Sequence, residues 1–202
     1  KILLVNLSKG RIGEINANLI GMIMVGKILM AALSRVDDSS KSFPPFYLHM
    51  DEFQNISTNS ISAILSKARK YKLGLTIAHQ FIAQLEESIK DAVFGNVGSM
   101  AVFRVGPDDA QFLEQQYKPT FESTDLMNVP NRVAYVRALA NGTPTRPFSM
   151  ATIAPLQTDS TQVNYMIQKS YERYGLLRED SETECLKRYQ KKPTNVKKPF
   201  GE

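Results

Sequence analysis

Two adjacent carboxylates, Asp51 and Glu52, directly follow a short run of strand-forming residues, 46–50. The run is aromatic and aliphatic, it is entered from two prolines, and a Ser/Thr/Asn-rich turn follows the acids. This pattern predicts a buried strand of an open α/β sheet, in which ligands bind beyond the carboxyl ends of the strands. A carboxylate there can hold the water shell of Mg²⁺, and a second can orient or deprotonate an attacking water.

The acid pair has two interpretations. A hydrophobic strand followed by Asp-Glu has the form of a Walker B segment, which serves a nucleotide triphosphate and its Mg²⁺. Alternatively, Asp51 and Glu52 merely end the strand and begin the next helix, where acids suit the positive end of the helix dipole. The segment alone leaves both open, because a hydrophobic strand followed by an acid is common.

A second apolar run, residues 73–79, also ends on a hydrogen-bonding side chain, Gln80. Between the two runs, residues 55–71 have the apolar spacing of a helix that ends in a group of cations. This β-α-β order predicts parallel strands whose ends meet at one edge of the sheet. We therefore expect the acid pair and Gln80 to converge.

Composition limits the class of protein. The chain has 202 residues, of which 43% are hydrophobic and 22% charged, so it can form one sizeable domain plus appendages. Its net charge of +5 is compatible with a polyanionic partner, although much of the excess lies in the C-terminal tail. A single cysteine, Cys185, excludes an internal disulfide framework. The two histidines, His49 and His79, lie on predicted strands and are interpreted as structural.

The N-terminal region predicts a strand at residues 2–7, covered on both faces, and a helix at residues 14–34. The helix is apolar nearly all round, which favours a buried helix packed between the sheet and another element over a membrane span. Because the chain starts without methionine inside an apparent strand, we expect it to be the downstream portion of a longer protein.

Residues 21–27 of this helix match the glycine and lysine spacing of a phosphate-binding loop. The match is rejected, since Ile28 stands where the motif needs a hydroxyl for Mg²⁺ and the interior positions are bulky and apolar. No strand directly precedes the segment either. We interpret the glycines as packing residues, so the sequence contains no usable phosphate-binding loop.

Beyond Gln80 the pattern predicts a series of shorter elements. They are a helix at 81–93, a strand at 99–105 that ends near Arg104, a helix opened by Gly106 and Pro107, a short helix at 121–128, a hairpin with strands 132–140 and 146–153 around Asn141-Gly142, and an amphipathic helix at 163–174. We predict two regions, a domain at 1–155 and a region at 156–202 with a linker, the amphipathic helix and a basic tail. The last dozen residues are predicted to be disordered.

With these residues placed, the chain resembles the C-terminal half of a RecA-like motor domain of the HerA/FtsK group, and most closely the conjugative DNA-transfer coupling ATPases of type IV secretion systems. The motifs that carry the resemblance are residues 46–54, 67–70, 75–80, 96–98, 103–106 and 137–148. Together these motifs cover about residues 1–155. The resemblance implies an α/β fold: a partial three-layer RecA-like P-loop NTPase core with a mostly parallel sheet and helices on both faces, plus a C-terminal β-hairpin and a helical tail.

The same resemblance implies ATP and Mg²⁺ as cofactors and assigns roles to individual residues. Asp51 would hold the Mg²⁺ shell, Glu52 would polarise the attacking water, and Gln80 would sense the γ-phosphate or help place that water. Arg69 occupies the place of the arginine finger that reaches into a neighbouring subunit. Arg104 is a second candidate for the finger or for a phosphate contact, or equally a cation that extends from a strand end to solvent. The lysine that contacts the phosphates must come from upstream sequence.

The implied assembly is a homo-oligomer, expected to be a hexamer, that moves DNA without sequence preference. Cations that could line a central channel, or equally form a solvated rim, are Lys9, Arg11, Lys67, Lys70 and Lys72. Secretion or relaxosome proteins are further expected partners, and the location is cytoplasmic or at the cytoplasmic face of the inner membrane, without membrane contact by this segment. The alternative to an enzyme portion is a non-catalytic oligomerisation or DNA-docking module. A DNA-packaging or resection motor is also left open.

Overall fold

A computed structural model describes residues 2–36, 43–56, 65, 68–157 and 159–190. The chain divides into two units, Lys1–Ile153 and Ala154–Glu202. The first unit carries every described strand and the predicted acid pair. The last dozen residues, for which disorder is predicted, lie outside the described residues.

The first unit contains both helices and strands, and the described part of the second contains helices as its only regular elements. The helices are α1 (Lys9–Ile12), α2 (Glu14–Leu33), α3 (Glu87–Asn96), α4 (Pro107–Tyr117), α5 (Ser123–Met127), α6 (Ser160–Tyr174) and α7 (Arg178–Gln190). The strands are β1 (Phe46–Met50), β2 (Leu73–Ile77), β3 (Met100–Val102), β4 (Val133–Arg137), β5 (Leu139–Ala140), β6 (Thr143–Pro144) and β7 (Phe148–Ala151). Short 3₁₀ helices occur at Ser34–Val36, Phe53–Asn55, Ala68–Tyr71 and Ile82–Gln84.

The predicted β-α-β order produces a parallel pair, β1 and β2. The two strands run in register from Phe46 opposite Leu73 to Met50 opposite Ile77. Of the predicted crossover helix, most residues lie outside the described part of the chain, and the segment closes with the 3₁₀ helix Ala68–Tyr71. The α/β class is therefore confirmed, and both strands end at the same edge of the sheet.

The predicted hairpin is confirmed as well. β4 and β7 pair antiparallel at its base, and β5 and β6 pair at its tip across Asn141 and Gly142. Both turn residues have positive φ, 52° and 81°, the backbone region that Asn and Gly tolerate best. β3 joins β4 in an antiparallel sheet of order β3-β4-β7. The described strands thus form three sheets: the parallel pair, this antiparallel sheet and the two-stranded hairpin tip.

The predicted strand at residues 2–7 is wrong. Residues 2–8 adopt no regular secondary structure, and Ile2 and Leu4 are 90% and 78% exposed. A strand is stabilised by its ladder of hydrogen bonds, and no strand within the described residues pairs with this segment. An apolar run reveals a preference for burial but does not supply the neighbouring strand.

Two further boundaries differ from the predictions. The helix expected from residue 81 begins only at Glu87, because Ile82 donates its backbone N–H to Asp109 and enters a 3₁₀ turn instead. Strand β3 spans three residues rather than seven, which leaves Arg104 beyond its end. The predicted short helix at 121–128 is present as α5, which begins with a capping box: the Glu122 and Asp125 side chains each accept the other's backbone N–H.

Helix α2 matches its predicted span, but only one face is covered by the described residues. Ala17, Gly21, Val25 and Ala32 are buried, whereas Ile15 is 83% exposed. A Cβ at Gly21 would lie 2.4 Å from the Ile56 side chain, which supports its interpretation as a packing glycine. Among the described helices, α2 alone is long and apolar enough to cross a membrane, a property that it shares with core helices of soluble proteins.

Two apolar cores lie within the first unit. The first gathers α2, β1, β2 and α3 around Phe53 and Ile89, and the second gathers β3, α4 and α5 around Tyr117 and Leu126. The segment after β2 enters both, since Ile82 belongs to the second core and Leu85 to the first. This segment therefore links the two cores at the edge where β2 ends.

The buried hydroxyl of Tyr117 gives a test of the second core. It lies 3.1 Å from the carbonyl oxygen of Met100 and 3.2 Å from that of Tyr135, and burial raises the pKa of this phenol, so it remains a neutral donor. We expect Tyr117→Phe to lower the free energy of unfolding by about 1 kcal/mol, as typical of a lost buried hydrogen bond, measured by urea denaturation. Tyr189→Phe, at an exposed tyrosine of α7, serves as the control. Equal stability of Tyr117→Phe and the parent would contradict the assignment.

Candidate functional site

The acid pair is positioned by the backbone of a single residue at the end of β2. The N–H of Ala78 donates to the carbonyl of Met50 at 2.8 Å, and the N–H of Phe53 donates to the carbonyl of Ala78 at 3.0 Å. Asp51 and Glu52 are the two residues between these anchors. The β1–β2 ladder thus extends past the strands and fixes the loop that carries both acids.

Glu52 adopts an uncommon backbone conformation, with φ at +50° and ψ at 43°. A side chain other than glycine in this left-handed region costs about 1 kcal/mol or more, so the surrounding contacts must hold it. Phe53 supplies one of them, since its ring is fully buried in the first core. The turn therefore buries Phe53 and directs Glu52 beyond the end of the strand.

Two glutamines hold the Glu52 carboxylate. Gln80 Nε2 donates to Oε1 at 2.7 Å, and Gln54 Nε2 donates to Oε2 at 2.7 Å. One donor comes from the end of β2 and the other from the 3₁₀ helix that follows the acids. With both oxygens engaged, the orientation of the carboxylate is fixed, while further lone pairs remain for a water molecule.

Gln54 ends the motif of residues 46–54, but the sequence pattern assigns it no role. Its approach to Glu52 depends on the left-handed turn at Glu52 and on the 3₁₀ turn Phe53–Asn55, neither of which a strand pattern predicts. The sequence contains one indication of this contact, the amide side chain of Gln54 two positions after Glu52. In a 3₁₀ turn such a side chain can reach back to its neighbour.

Asp51 has the chemistry of a Mg²⁺ ligand. Its carboxylate is exposed, and Oδ1 accepts the backbone N–H of Glu52 at 2.9 Å. No group of three or more His, Cys, Asp or Glu side chains that could hold a metal occurs among the described residues. Mg²⁺ commonly keeps several waters and takes only one or two carboxylates plus phosphate oxygens, so a lone Asp51 fits that ion.

Of the two predicted arginines, only Arg104 has a described side chain, and its described hydrogen bond is not to the acid pair. Arg104 follows β3, and its Nη2 donates to the side-chain oxygen of Asn131 at 3.2 Å. The backbone of Arg69 lies in the 3₁₀ helix Ala68–Tyr71, and its side chain is outside the described part of the chain.

The predicted DNA-contacting cations are scattered. Lys70 and Lys72 are exposed and precede β2, so they lie at the opposite end of that strand from Gln80. Lys9 forms an ion pair with Glu14 at 2.9 Å, and Arg11 is exposed in α1. Lys67 lies outside the described residues.

A cavity of about 1000 Å³ borders the acid pair. Its lining consists of residues 2–7, Lys9, one face of α2, strand β1 and the residues that follow it, among them Asp51 and Glu52. Most of the lining is aliphatic or aromatic. Asp51, Glu52 and Lys9 are the charged residues of this lining.

The segment that carries Gln80 is held from a second direction. Asp109, in the first turn of α4, accepts the backbone N–H of Ile82 through Oδ2 at 3.2 Å. The half-buried His79 precedes Gln80, and burial lowers the pKa of its imidazole while the Asp109 carboxylate opposes that effect. The site is thus supported by both cores of the first unit.

One protein-family model matches part of the chain. A family model described as the TraM recognition site of TraD and TraG matches residues 45–116. That match begins just before β1 and ends within α4, so it includes the acid pair, Gln80 and Asp109. No curated protein matches the sequence.

Solved structures of a conjugative coupling protein share the fold. The unbound bacterial conjugative coupling protein TrwBdeltaN70 aligns with a TM-score of 0.52 at 15% identity, over 64% of this chain and 36% of that one. TrwB with the non-hydrolysable ATP analogue ADPNP aligns with a TM-score of 0.52 at 16% identity, over 66% and 37%. TrwB with ADP and Mg²⁺ aligns with a TM-score of 0.50 at 16% identity, over 59% of this chain and 33% of that one. This chain spans about a third of the length of these structures.

The fold defines the class of protein, an α/β chain with a partial RecA-like core. The family match and the structural neighbours then confirm the particular resemblance, which is to the conjugative coupling ATPases of the HerA/FtsK group.

The environment of His79 can be tested by titration. Because burial favours the neutral imidazole, we expect an NMR titration midpoint below the ordinary value of 6.5. Unfolding would then take up a proton, so stability should fall as the pH drops below about 6.5 and be fully retained above it. Asp109→Asn should lower the midpoint further, because it removes the charge that favours the protonated form.

His79→Asn identifies the signal, since the chain has only two histidines. It should also weaken the loss of stability in acid. A midpoint at or above 6.5 would contradict this description of the His79 environment.

Proposed function

We propose that this chain is the C-terminal portion of an ATP-hydrolysing DNA-transfer coupling protein, to which it contributes the Walker B acids, a sensor glutamine and an arginine finger. The observation that carries the proposal is the contact between Glu52 and Gln80 at the shared edge of two parallel strands. A base and a polar sensor at that edge are what ATP hydrolysis needs. A phosphate-binding loop would come from a segment outside this sequence, because residues 21–27 lie within α2.

Glu52 is proposed as the group that orients and polarises the attacking water. Gln54 and Gln80 hold its two oxygens, so the carboxylate need not reorganise when the water binds. Asp51 would hold the water shell of Mg²⁺, which when bound neutralises charge on the phosphate oxygens. Gln80 would connect the water-activating carboxylate to the γ-phosphate.

Arg69 is proposed as the finger that acts on a neighbouring subunit, with Arg104 as the second candidate. Arg104 is exposed and donates a single hydrogen bond to Asn131, so its guanidinium retains donors for an anion. A finger shared between subunits requires an assembly, which we propose to be a hexamer. The exposed apolar face of α2, which includes Ile15, Leu19 and Ile23, is surface of the kind that such assemblies bury.

DNA is the proposed substrate, contacted through its phosphates by exposed cations that include Arg11, Lys70 and Lys72. Because the matching family model is described as a TraM recognition site, we also propose a protein partner of the relaxosome on residues 45–116. The proposed location is the cytoplasm or the cytoplasmic face of the inner membrane.

We expect Glu52→Gln to reduce DNA-stimulated ATP hydrolysis by the full-length protein about 100-fold or more, the contribution typical of a general base. The amide cannot take a proton, and it places a donor against Gln54 or Gln80. Glu87→Gln, at an exposed acid of α3, is the matched control and should retain activity. Turnover that is unaffected by Glu52→Gln would favour the non-catalytic docking module.

Mixing two inactive variants tests whether the proposed ATPase site is shared between subunits. Arg69→Ala should lose about 10³-fold or more in rate, as fingers do in other nucleotide triphosphatases, and mixing it with Glu52→Gln should restore part of the activity. Restoration occurs because some interfaces then combine an intact Glu52 with an intact Arg69. If Arg104→Ala complements Glu52→Gln and Arg69→Ala does not, the finger is Arg104.

A further inference from the structure

Asp109 is the one buried charged residue in the described part of the chain, with 8% of its surface exposed. Its neighbour Asp108 lies in the same first turn of α4 and is exposed. Both carboxylates suit the positive end of the helix dipole equally, so the dipole does not explain why Asp109 is buried. A buried carboxylate is tolerated only with hydrogen-bond or charge partners, which directs attention to what Asp109 contacts.

The contacts of Asp109 lie on the segment that carries Gln80. Oδ2 accepts the N–H of Ile82, 27 positions earlier in the chain. The Asp109 carboxylate also favours the protonated form of the half-buried His79 imidazole, against the larger effect of burial that lowers its pKa. Gln80 lies between those two residues. One carboxylate of the second core is thus hydrogen-bonded on one side of the proposed sensor and influences the titration of the residue on the other.

Within the described residues, the backbone of Gln80 has few other anchors. Ala78 is fixed by one hydrogen bond to Met50 of β1 and one from Phe53 of the following 3₁₀ helix. Ile82 is fixed by Asp109 and by its place in the second core. Only His79, Gln80 and Phe81 span the distance between these anchors. Phe81 is 52% exposed and contributes no buried anchor. If the Ile82 anchor were released, the Gln80 amide would no longer be restricted to the 2.7 Å contact with Glu52.

We infer that Asp109 is a positioning residue that holds the segment 79–82 so that Gln80 meets Glu52, and that α4 thereby sets the geometry of the site. The inference rests on the proposed function for its effect on turnover. Its structural part, the anchoring of Gln80, stands independently.

The first experiment measures structure in this chain without nucleotide. In Asp109→Ala, the side-chain amide signals of Gln80 in NMR spectra should move toward those of free glutamine, and hydrogen exchange at Ile82 should accelerate. Asp108→Ala, which removes an acid from the same turn, should change neither. Unchanged Gln80 signals in Asp109→Ala would overturn the inference whether or not the protein hydrolyses ATP.

The second experiment measures turnover in the full-length protein. Asp109→Ala should lower kcat between about tenfold and 100-fold with KM for ATP nearly unchanged, the scale of a misplaced catalytic group. In a Gln80→Ala background the same change should have no further effect on kcat, because Asp109 acts through Gln80. A full additional loss in that background, or a matching rise in KM, would overturn the inference.

Asp109→Asn keeps an acceptor oxygen at the same position and should restore most of the activity that Asp109→Ala loses. If Asp109→Ala does not fold, Asp109→Asn takes its place in the test. The smaller loss of kcat in Asp109→Asn should likewise disappear in the Gln80→Ala background. A parent protein without ATPase activity would refute the proposed function, and the NMR measurement would then decide the anchoring separately.

Discussion

The parallel ladder between β1 and β2 is the constraint on which the site depends. Its five residue pairs fix where both strands end. Beyond the strands, Ala78 forms backbone hydrogen bonds with Met50 and Phe53, the residues on either side of Asp51 and Glu52. A shift of one residue would send every side chain of β1 to the opposite face. It would expose Met50, which is buried in the first core, and separate Glu52 from Gln80. The packing of the core and the geometry of the acids are therefore specified together.

Packing in the apolar cores stabilises the backbone conformation of Glu52, which is unfavourable by itself. Glu52 lies in the left-handed region, and its carboxylate is turned toward two glutamines. The burial of Phe53 next to it offsets that cost, since a fully buried aromatic side chain contributes several kcal/mol, in the range of about 3–5 by truncation to alanine. The anchor and the functional side chain are thus adjacent in sequence but face different environments.

Sequence reasoning succeeded where the interactions are local or are dictated by topology. The apolar runs before Glu52 and Gln80, separated by a helical segment, sufficed to predict parallel strands with a common edge. The Asn141-Gly142 pair predicted the hairpin tip because its positive φ angles are a property of those two residues. In both cases the determining information lies within a few tens of residues.

The predictions failed where a distant contact outweighs a local preference. Residues 2–7 have the composition of a buried strand, yet without a partner among the described strands they form none. The start of α3 at Glu87 depends on the bond from Ile82 to Asp109, 27 positions away, which no periodicity contains. Gln54 was given no role because its contact with Glu52 requires a left-handed residue between strand and 3₁₀ turn. Each failure involves a pairing that becomes visible only in three dimensions.

The donors of Gln80 constrain how the proposed ATPase site can work. A glutamine amide has two N–H groups, and the structure uses one of them for Glu52. The second N–H is the group that could donate to a phosphate oxygen while the first contact is retained. Under the proposed function, Gln80 can therefore contact the water-activating carboxylate and the γ-phosphate at the same time. Under the same proposal, a change at the phosphate would reach Glu52 through Gln80, and Asp109 and α4 through the segment 79–82. The proposed sensor therefore lies next to the segment whose residues Ile82 and Leu85 join the two cores of the first unit.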